Sequence, residues 1–311
     1  MAKKTRVLIT GGAGFLGGFL TQELSHKHSV TVMDDLSTGS RNNLAGISCG
    51  FCKLRAWEKP AINLLKRGAF DLVIHLAANA YIKNSVDEPY QDFDNNLVQP
   101  LRLLDAVRQM TKKPKLLFIS SAAVHGETIR FPMREDDKLR PVSPYGAGKL
   151  GLENYASVFC RTFGVPTLIV RLYPMYGPRQ KKQVVFDLMR KLTLPGKILE
   201  VFGTGNEARD FLFVEDAARG MATIAGKLPF DGRTINLCSG KGIPIRQVVK
   251  TTMKTLGIIK NVHYTGKMRQ GDVDKMVGSV EWLKRTVFKP EVSFEEGIKQ
   301  TVLWFKETQL S

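Results

Sequence analysis

Tyr145 and Lys149 stand four residues apart in the segment Ser143-Pro144-Tyr145-Gly146-Ala147-Gly148-Lys149, which opens a long helical stretch. That spacing puts both side chains on one helical face. A lysine one turn from a tyrosine stabilises the phenolate and draws its pKa down from about 10 toward the working pH. Upstream, the run Phe118-Ile119-Ser120-Ser121 ends a strand and leaves the Ser121 hydroxyl at a sheet edge. A serine there can share the hydrogen bond to a reacting alcohol or carbonyl. Singly each residue has an ordinary packing or surface role; together they make a proton-transfer device.

Such a device needs a partner for the electrons, and residues 10–17, TGGAGFLG, point to one. The apolar strand Val7-Leu8-Ile9 runs into Gly11, Gly14 and Gly17, and a helix carrying Phe15, Leu16, Phe19, Leu20 and Leu24 follows. Glycines permit a tight turn, close approach of backbone to a pyrophosphate, and packing of helix on strand. The helix start offers free N–H groups and a positive dipole end to the anion. The spacing is Gly-x-x-Gly-x-x-Gly rather than G-x-G-x-x-G. About 20 residues on, the run Val30-Thr31-Val32-Met33 ends in Asp34, placed to accept from the adenosine ribose hydroxyls and to repel a 2′-phosphate. The cofactor read from these residues is NAD.

The elements that must position these groups alternate. Strands are predicted over 6–10, 29–33, 50–54, 71–75, 115–120 and 166–171, with helices over 15–26, 60–68, 91–111 and 144–163. Runs such as Leu72-Val73-Ile74 suit strands buried on both faces. The expected fold is α/β: a doubly wound, Rossmann-type parallel sheet with ligands at its C-terminal edge. After residue 175 the alternation loosens, and helices are predicted over 182–192, 214–226, 244–256 and 294–307. Residues 1–175 are therefore read as the cofactor-binding domain. Residues 176–311 are read as mainly a small substrate-binding lobe, with some segments returning to the sheet.

Composition narrows the class. The chain has 311 residues, 46 basic against 29 acidic, for a net charge of +17. The basic residues are scattered in small groups such as Lys112-Lys113-Pro114-Lys115 and Arg179-Gln180-Lys181-Lys182. Scatter fits solvated faces and a few anion contacts better than a nucleic-acid surface. No apolar run approaches the roughly 18 residues of a membrane span. Met1–Arg6 leads straight into the first strand, so a cytoplasmic protein without a leader is expected. Cys49-Gly50-Phe51-Cys52 has a redox or metal spacing, yet no second pair or histidine cluster completes a site; reduced packing cysteines and no metal are expected.

The ordered series TGGAGFLG, MDDLSTG (33–39), HLAA (75–78), SSAAVHG (120–126), SPYGAGK (143–149), RLYPMYGPRQ (171–180), GTGNEARDFLFVEDAARG (203–220) and RQGD (269–272) spans nearly the whole chain. In these motifs the sequence closely resembles the extended short-chain dehydrogenase/reductases. Within them it resembles the NAD-dependent sugar-nucleotide epimerase/dehydratase type exemplified by UDP-glucose 4-epimerase. The resemblance implies that Gly11, Gly14, Phe15, Leu16 and Gly17 hold the pyrophosphate, that Asp34 holds the ribose, and that Ala77 and Ala78 line the cofactor cleft. It assigns Ser121, Tyr145 and Lys149 as the catalytic set, Lys149 also binding the nicotinamide ribose, and puts Asn96 near the cofactor. Ser121 and Tyr145 also contact the substrate, and Arg209 and Arg269 match arginines that clamp the nucleoside diphosphate. It further implies a homodimer through a four-helix bundle, built here from 91–111 and 144–163 with Phe93, Leu97, Leu101, Leu104, Val107, Leu152, Tyr155, Phe159 and Phe163 at helical spacing.

The departures from the family pattern discriminate among its reactions. Ala122-Ala123 stands where 4,6-dehydratases carry Asp-Glu and decarboxylating relatives a glutamate, and alanine can be neither acid nor base. Pro174 replaces an asparagine, Cys52-Lys53-Leu54 lacks the usual acid near the adenine, and His125 replaces a tyrosine and is read as packing. The expected function is 4-epimerisation of a nucleotide sugar, a UDP-hexose or UDP-hexuronic acid being favoured. A net oxidoreductase such as a 4-ketoreductase, or a dehydratase, is the alternative within the family. A catalytically idle NAD-binding regulator or RNA binder is the alternative outside it, and the complete serine–tyrosine–lysine set argues against that.

Overall fold

Apolar runs need cover on both faces, and the computed structural model, which describes residues 4–78, 80–268, 270–286 and 288–309, supplies it. Seven strands form the central sheet: β1 (Arg6–Thr10), β2 (Ser29–Met33), β3 (Gly50–Cys52), β4 (Leu72–His75), β5 (Lys115–Ser121), β6 (Thr167–Leu172) and β7 (Thr234–Leu237). All pair in parallel, in the order β7-β6-β5-β4-β1-β2-β3. Because β1 lies between β2 and β4, the winding reverses there and a crevice opens past the strand ends. The glycine turn follows β1 and Ala77-Ala78 follows β4, so the two segments flank that crevice.

The helices on this half are α1 (Phe15–Ser25), α2 (Lys59–Arg67), α3 (Ile82–Asp87), α4 (Pro89–Phe93), α5 (Gln99–Arg108) and α6 (Pro144–Phe163). On one face, α1 and the helix Val214–Lys227 cover the sheet through Leu16, Leu20, Val32, Ile74, Met221 and Ile224. On the other, Leu65, Leu103, Leu104, Leu152 and Phe159 of α2, α5 and α6 pack on Val73, Leu116 and Ile169. α6 starts where its sequence says it should: the Ser143 hydroxyl accepts from Gly146 N at 3.1 Å, and Pro144 occupies the first turn.

Two features depart from the sequence reading. The single helix expected over 91–111 is instead α4, a π-helical turn (Asp94–Val98) and α5. Pro100 has no N–H for the carbonyl four residues back, and its ring crowds that carbonyl, so the turn widens. β7 is a segment of the later half that returns to the sheet, at a position where the sequence predicts no strand. Its Asn236 interrupts a short apolar run, but the residue is buried, its N–H donating to Glu135 Oε1 at 3.0 Å and its amide to Met133 O at 3.1 Å.

A third core lies outside the sheet. Leu188 and Met189 of the helix Gln183–Thr193, Val248 and Val249 of Ile245–Leu256, and Ile298, Val302 and Phe305 of Phe294–Gln309 pack around Tyr176, Phe211 and Phe213. The strand Ala208–Asp210, held between Gly242–Pro244 and Lys275–Met276, faces back toward the crevice. Among the described residues no helix is long and apolar enough to cross a membrane.

Candidate active site

The glycine turn is shaped by contacts that leave no room for side chains. Gly11 has φ +71°, and a Cβ on it would stand 2.7 Å from the backbone nitrogen of Ala77. A Cβ on Gly17 would stand 2.3 Å from Gly11 O, so α1 could not approach the turn this closely with any other residue there. Gly14 caps α1 without a side-chain hydrogen bond, which leaves the first-turn N–H groups open to a ligand. Gly11, Gly14, Phe15, Leu16 and Gly17 all line the crevice.

Asp34 closes β2 and pins this turn. Its Oδ2 accepts from Ala13 N at 2.9 Å and its Oδ1 from Leu36 N at 2.8 Å. Burial pushes the carboxyl up from its ordinary value, against those two bonds. Each oxygen keeps a further lone pair for a ribose hydroxyl. Ala77 and Ala78 line the same wall, and beyond β3 the lining passes to Leu54, Arg55, Ala56 and Trp57. Lys53 is exposed, and Arg55 pairs instead with Asp35 at 3.3 Å. The crevice encloses about 1410 Å³, more than the roughly 300–1,000 Å³ typical of one small ligand, so a dinucleotide and a second ligand fit together.

At the far end the three expected proton-transfer residues converge. Ser121 ends β5, its Oγ accepting from Ala123 N at 3.2 Å, and its hydroxyl stands near enough to the Tyr145 phenol to favour its ionised form. Lys149 Nζ lies 5.9 Å from the Tyr145 ring centre and donates to Ile119 O at 3.1 Å. Tyr145 and Lys149 are both buried.

The electrostatics correct one expectation. Tyr145 is not drawn down by Lys149 in the protein alone. Burial pushes the phenol up to about 12, with the Ser121 hydroxyl opposing and Asp92 adding to the rise. Lys149 moves the other way: burial lowers it to about 8, with Asp92 and then Glu153 holding it up. In a closed pocket the cost of desolvating a phenolate outweighs one neighbouring ammonium. At neutral pH the resting pair is a phenol beside an ammonium.

Asn96 lies in the widened turn that packs on α6. It sits buried in the π-helical turn, its amide donating to Asp92 Oδ1 at 2.8 Å, while its neighbours Asn95 and Gln99 line the crevice. Its Cβ lies 3.4 Å from where a Cβ would stand on Gly148, the residue before Lys149. Beneath Lys149 lies a charge pair invisible in the sequence, Arg171 donating to both oxygens of Glu153 at 2.9 and 2.7 Å.

On the opposite wall Arg209 lines the crevice. Its guanidinium donates to Ala208 O and Asp274 O, both at 3.1 Å, and lies 4.0 Å from Asp272. The adjacent Asp210 clasps the surrounding loops, accepting from Ser239 N, Ser239 Oγ, Gly240 N and Gly278 N. Arg269 lies outside the described residues. Arg179, which the sequence reading did not single out for the site, also lines the crevice and bridges its two sides. Its guanidinium lies 4.7 Å from the Phe19 ring centre and donates to Asn43 O at 3.3 Å. Its place inside the motif RLYPMYGPRQ (171–180), which Lys181 and Lys182 fall outside, is the signal that could have found it.

Ala123 and Pro174 face the crevice, so neither supplies an acid or an amide there. His125 is buried and held neutral, burial lowering it to about 4. All four cysteines are free, and among the described residues no cluster of three or more ligating side chains could hold a metal.

Residues 7–238 match the NAD dependent epimerase/dehydratase family. The chain is 29% identical over 323 residues to the UDP-glucuronate 4-epimerase of Thermodesulfobacterium geofontis, with 96% of each chain covered. It is 30% identical over 336 residues to dTDP-glucose 4,6-dehydratase 1 of Escherichia coli, covering 96% of this chain and 92% of that one. Among solved structures it resembles the UDP-glucose 4-epimerase of Thermotoga maritima, determined with UDP-glucose. That likeness has a TM-score of 0.90 and 31% identity over 98% of this chain and 99% of the other.

Proposed function

Because the chain belongs to the NAD dependent epimerase/dehydratase family, we propose that it is an NAD-dependent nucleotide-sugar epimerase. It inverts carbon 4 of a UDP-hexose or UDP-hexuronic acid through a transient 4-keto sugar. The observation that carries this reading is the convergence of Ser121, Tyr145 and Lys149 across the crevice from the glycine turn, with no carboxylate at 122 or 123. The crowded glycines and the free lone pairs of Asp34 fit NAD.

When bound, NAD would supply the hydride acceptor and donor and a positive charge that favours ionisation of Tyr145. Tyr145 takes the proton from the C4 hydroxyl and later returns it. Ser121 holds the same oxygen, and Lys149 stabilises the phenolate and binds the nicotinamide ribose. Arg209, with Arg269, grips the diphosphate so that the keto sugar turns without leaving. Residues 1–175 carry the cofactor and 176–311 mainly shape the substrate lobe. Four free cysteines fit a reducing compartment, and we place the protein in the cytoplasm.

The test is a panel of UDP-, GDP-, CDP- and dTDP-sugars incubated with the purified protein. The expected product of the true substrate has unchanged mass and inverted C4, formed without added NAD(P)H. Because Ala122-Ala123 cannot supply the acid and base that dehydration or decarboxylation needs, a loss of about 18 or 44 Da would overturn this reading and mean that another residue supplies them.

We also propose a homodimer. Leu104, Val107, Leu152 and Phe159 of the expected stripe are buried in the chain's own core, but Tyr90, Phe93, Tyr155, Val158 and Phe163 remain exposed on α4 and α6. An apolar strip of that kind is covered economically by a second copy. Light scattering at micromolar concentration is expected to give twice the chain mass, and a monomer mass would refute the dimer.

A further inference from the structure

Asp92 is a carboxylate that the reaction as written leaves unused. It lies in α4 against α6, is 1% exposed, and accepts from Asn96 through Oδ1. Oδ2 is equally buried and has no hydrogen-bond partner among the described residues. That oxygen lies 3.8 Å from where a Cβ would stand on Gly148, the residue beside Lys149 and three after Tyr145. With no side chain at 148, the carboxylate sits against α6 at the level of the two proton-transfer residues.

The other groups facing Lys149 are already answered. Glu153, one turn further along α6, accepts two bonds from Arg171 and one from the Ser120 hydroxyl at 2.5 Å. His75 from β4 is lowered to about 3 by burial and by the Lys149 charge, so it is neutral. On α3, Lys83 and Asp87 pair with each other at 3.5 Å on the surface. Tyr145 is a phenol at neutral pH. Among the described residues Asp92 is the carboxylate facing this ammonium that no arginine already neutralises.

We propose that Asp92 is a positioning residue for the reaction: its buried carboxylate, seated against Gly148, keeps Lys149 an ammonium and couples the Lys149 proton to that of Tyr145. The proposal rests on the acid–base reading of Tyr145 and Lys149 given above. Burial works against the ammonium, and Asp92 is the largest of the charges opposing it. The same carboxylate disfavours the Tyr145 phenolate. Asp92 thus delays ionisation of the phenol and prevents loss of the neighbouring positive charge, so the two titrations move together.

Asp92→Asn keeps the shape and the Asn96 contact while removing the charge. With 13C-labelled lysine, the Cε resonance of Lys149 is identified by its absence in Lys149→Met, and its titration midpoint is read by NMR. The midpoint is expected to fall by about one pH unit or more in Asp92→Asn, a tenfold change in the ionised ratio. The tyrosinate absorbance of Tyr145, isolated by difference from Tyr145→Phe, is expected to shift down with it. If Asp92→Asn does not fold, Asp92→Leu removes the charge with apolar filling, and the same fall is required of it. An unchanged Lys149 midpoint overturns the proposal, even if turnover or thermal stability drops, because that is what a packing role alone produces. If no nucleotide sugar is turned over by the wild type but the midpoint still falls, the epimerase reading fails and the Asp92–Lys149 link stands.

Discussion

Tyr145→Phe is expected to lower turnover by about 10²–10⁴-fold while NAD remains bound. The variant loses one oxygen and nothing else. The ring stays where α6 packs it, close to Lys149, and the Ser121 hydroxyl still accepts from Ala123 N. Stability should change by no more than about 0.5–1.5 kcal/mol, the net worth of one buried hydrogen bond. Rate, bound NAD per chain and melting temperature, measured on one preparation, separate these effects. Near-normal turnover would remove Tyr145 from proton transfer; loss of NAD together with rate would mean that the substitution disturbed the cleft instead.

Gly17→Ala is expected to abolish cofactor retention and to destabilise the fold by at least about 1–3 kcal/mol. The added Cβ meets Gly11 O at 2.3 Å and the carbonyl carbon and Cα of Gly12 at 2.7 Å. All three are backbone atoms, so no side chain can swing aside, and the turn itself must move. Because Ala13 in that turn is tied to Asp34, the displacement reaches the ribose end as well. Gly226→Ala is the control: nothing lies within 4 Å of its Cβ position, and alanine near a helix end should be neutral or slightly stabilising. Melting temperature and the NAD content of the purified variants decide the matter. An alanine at 17 that kept both would show that the turn tolerates a shift the packing distances forbid.

The parts of the site that could be read from sequence are those set by local geometry. A glycine every third residue between a strand and a helix specifies a turn, and Asp34 at the end of the next strand ties that turn at the crevice. The four-residue step from Tyr145 to Lys149 specifies a shared helical face. These follow from backbone dihedrals and helical period, which depend on neighbours in the chain. The strand runs behaved the same way: six of the seven strands of the sheet coincide with predicted apolar runs to within a residue or two.

What failed depended on groups distant in sequence. The direction in which Tyr145 titrates is decided by how completely α6, β5 and α4 exclude water, and by Asp92, 53 residues earlier in the chain. Arg179 enters the site only because the lobe carries it back over α1. β7 joins the sheet because Glu135 and Met133 satisfy an asparagine that no local pattern would bury. The sequence alone therefore determined which chemistry is available and along which edge it lies. Protonation states, partners and reach were decided only by the tertiary structure, because desolvation and charge sum over everything packed around a group, wherever it falls in the chain.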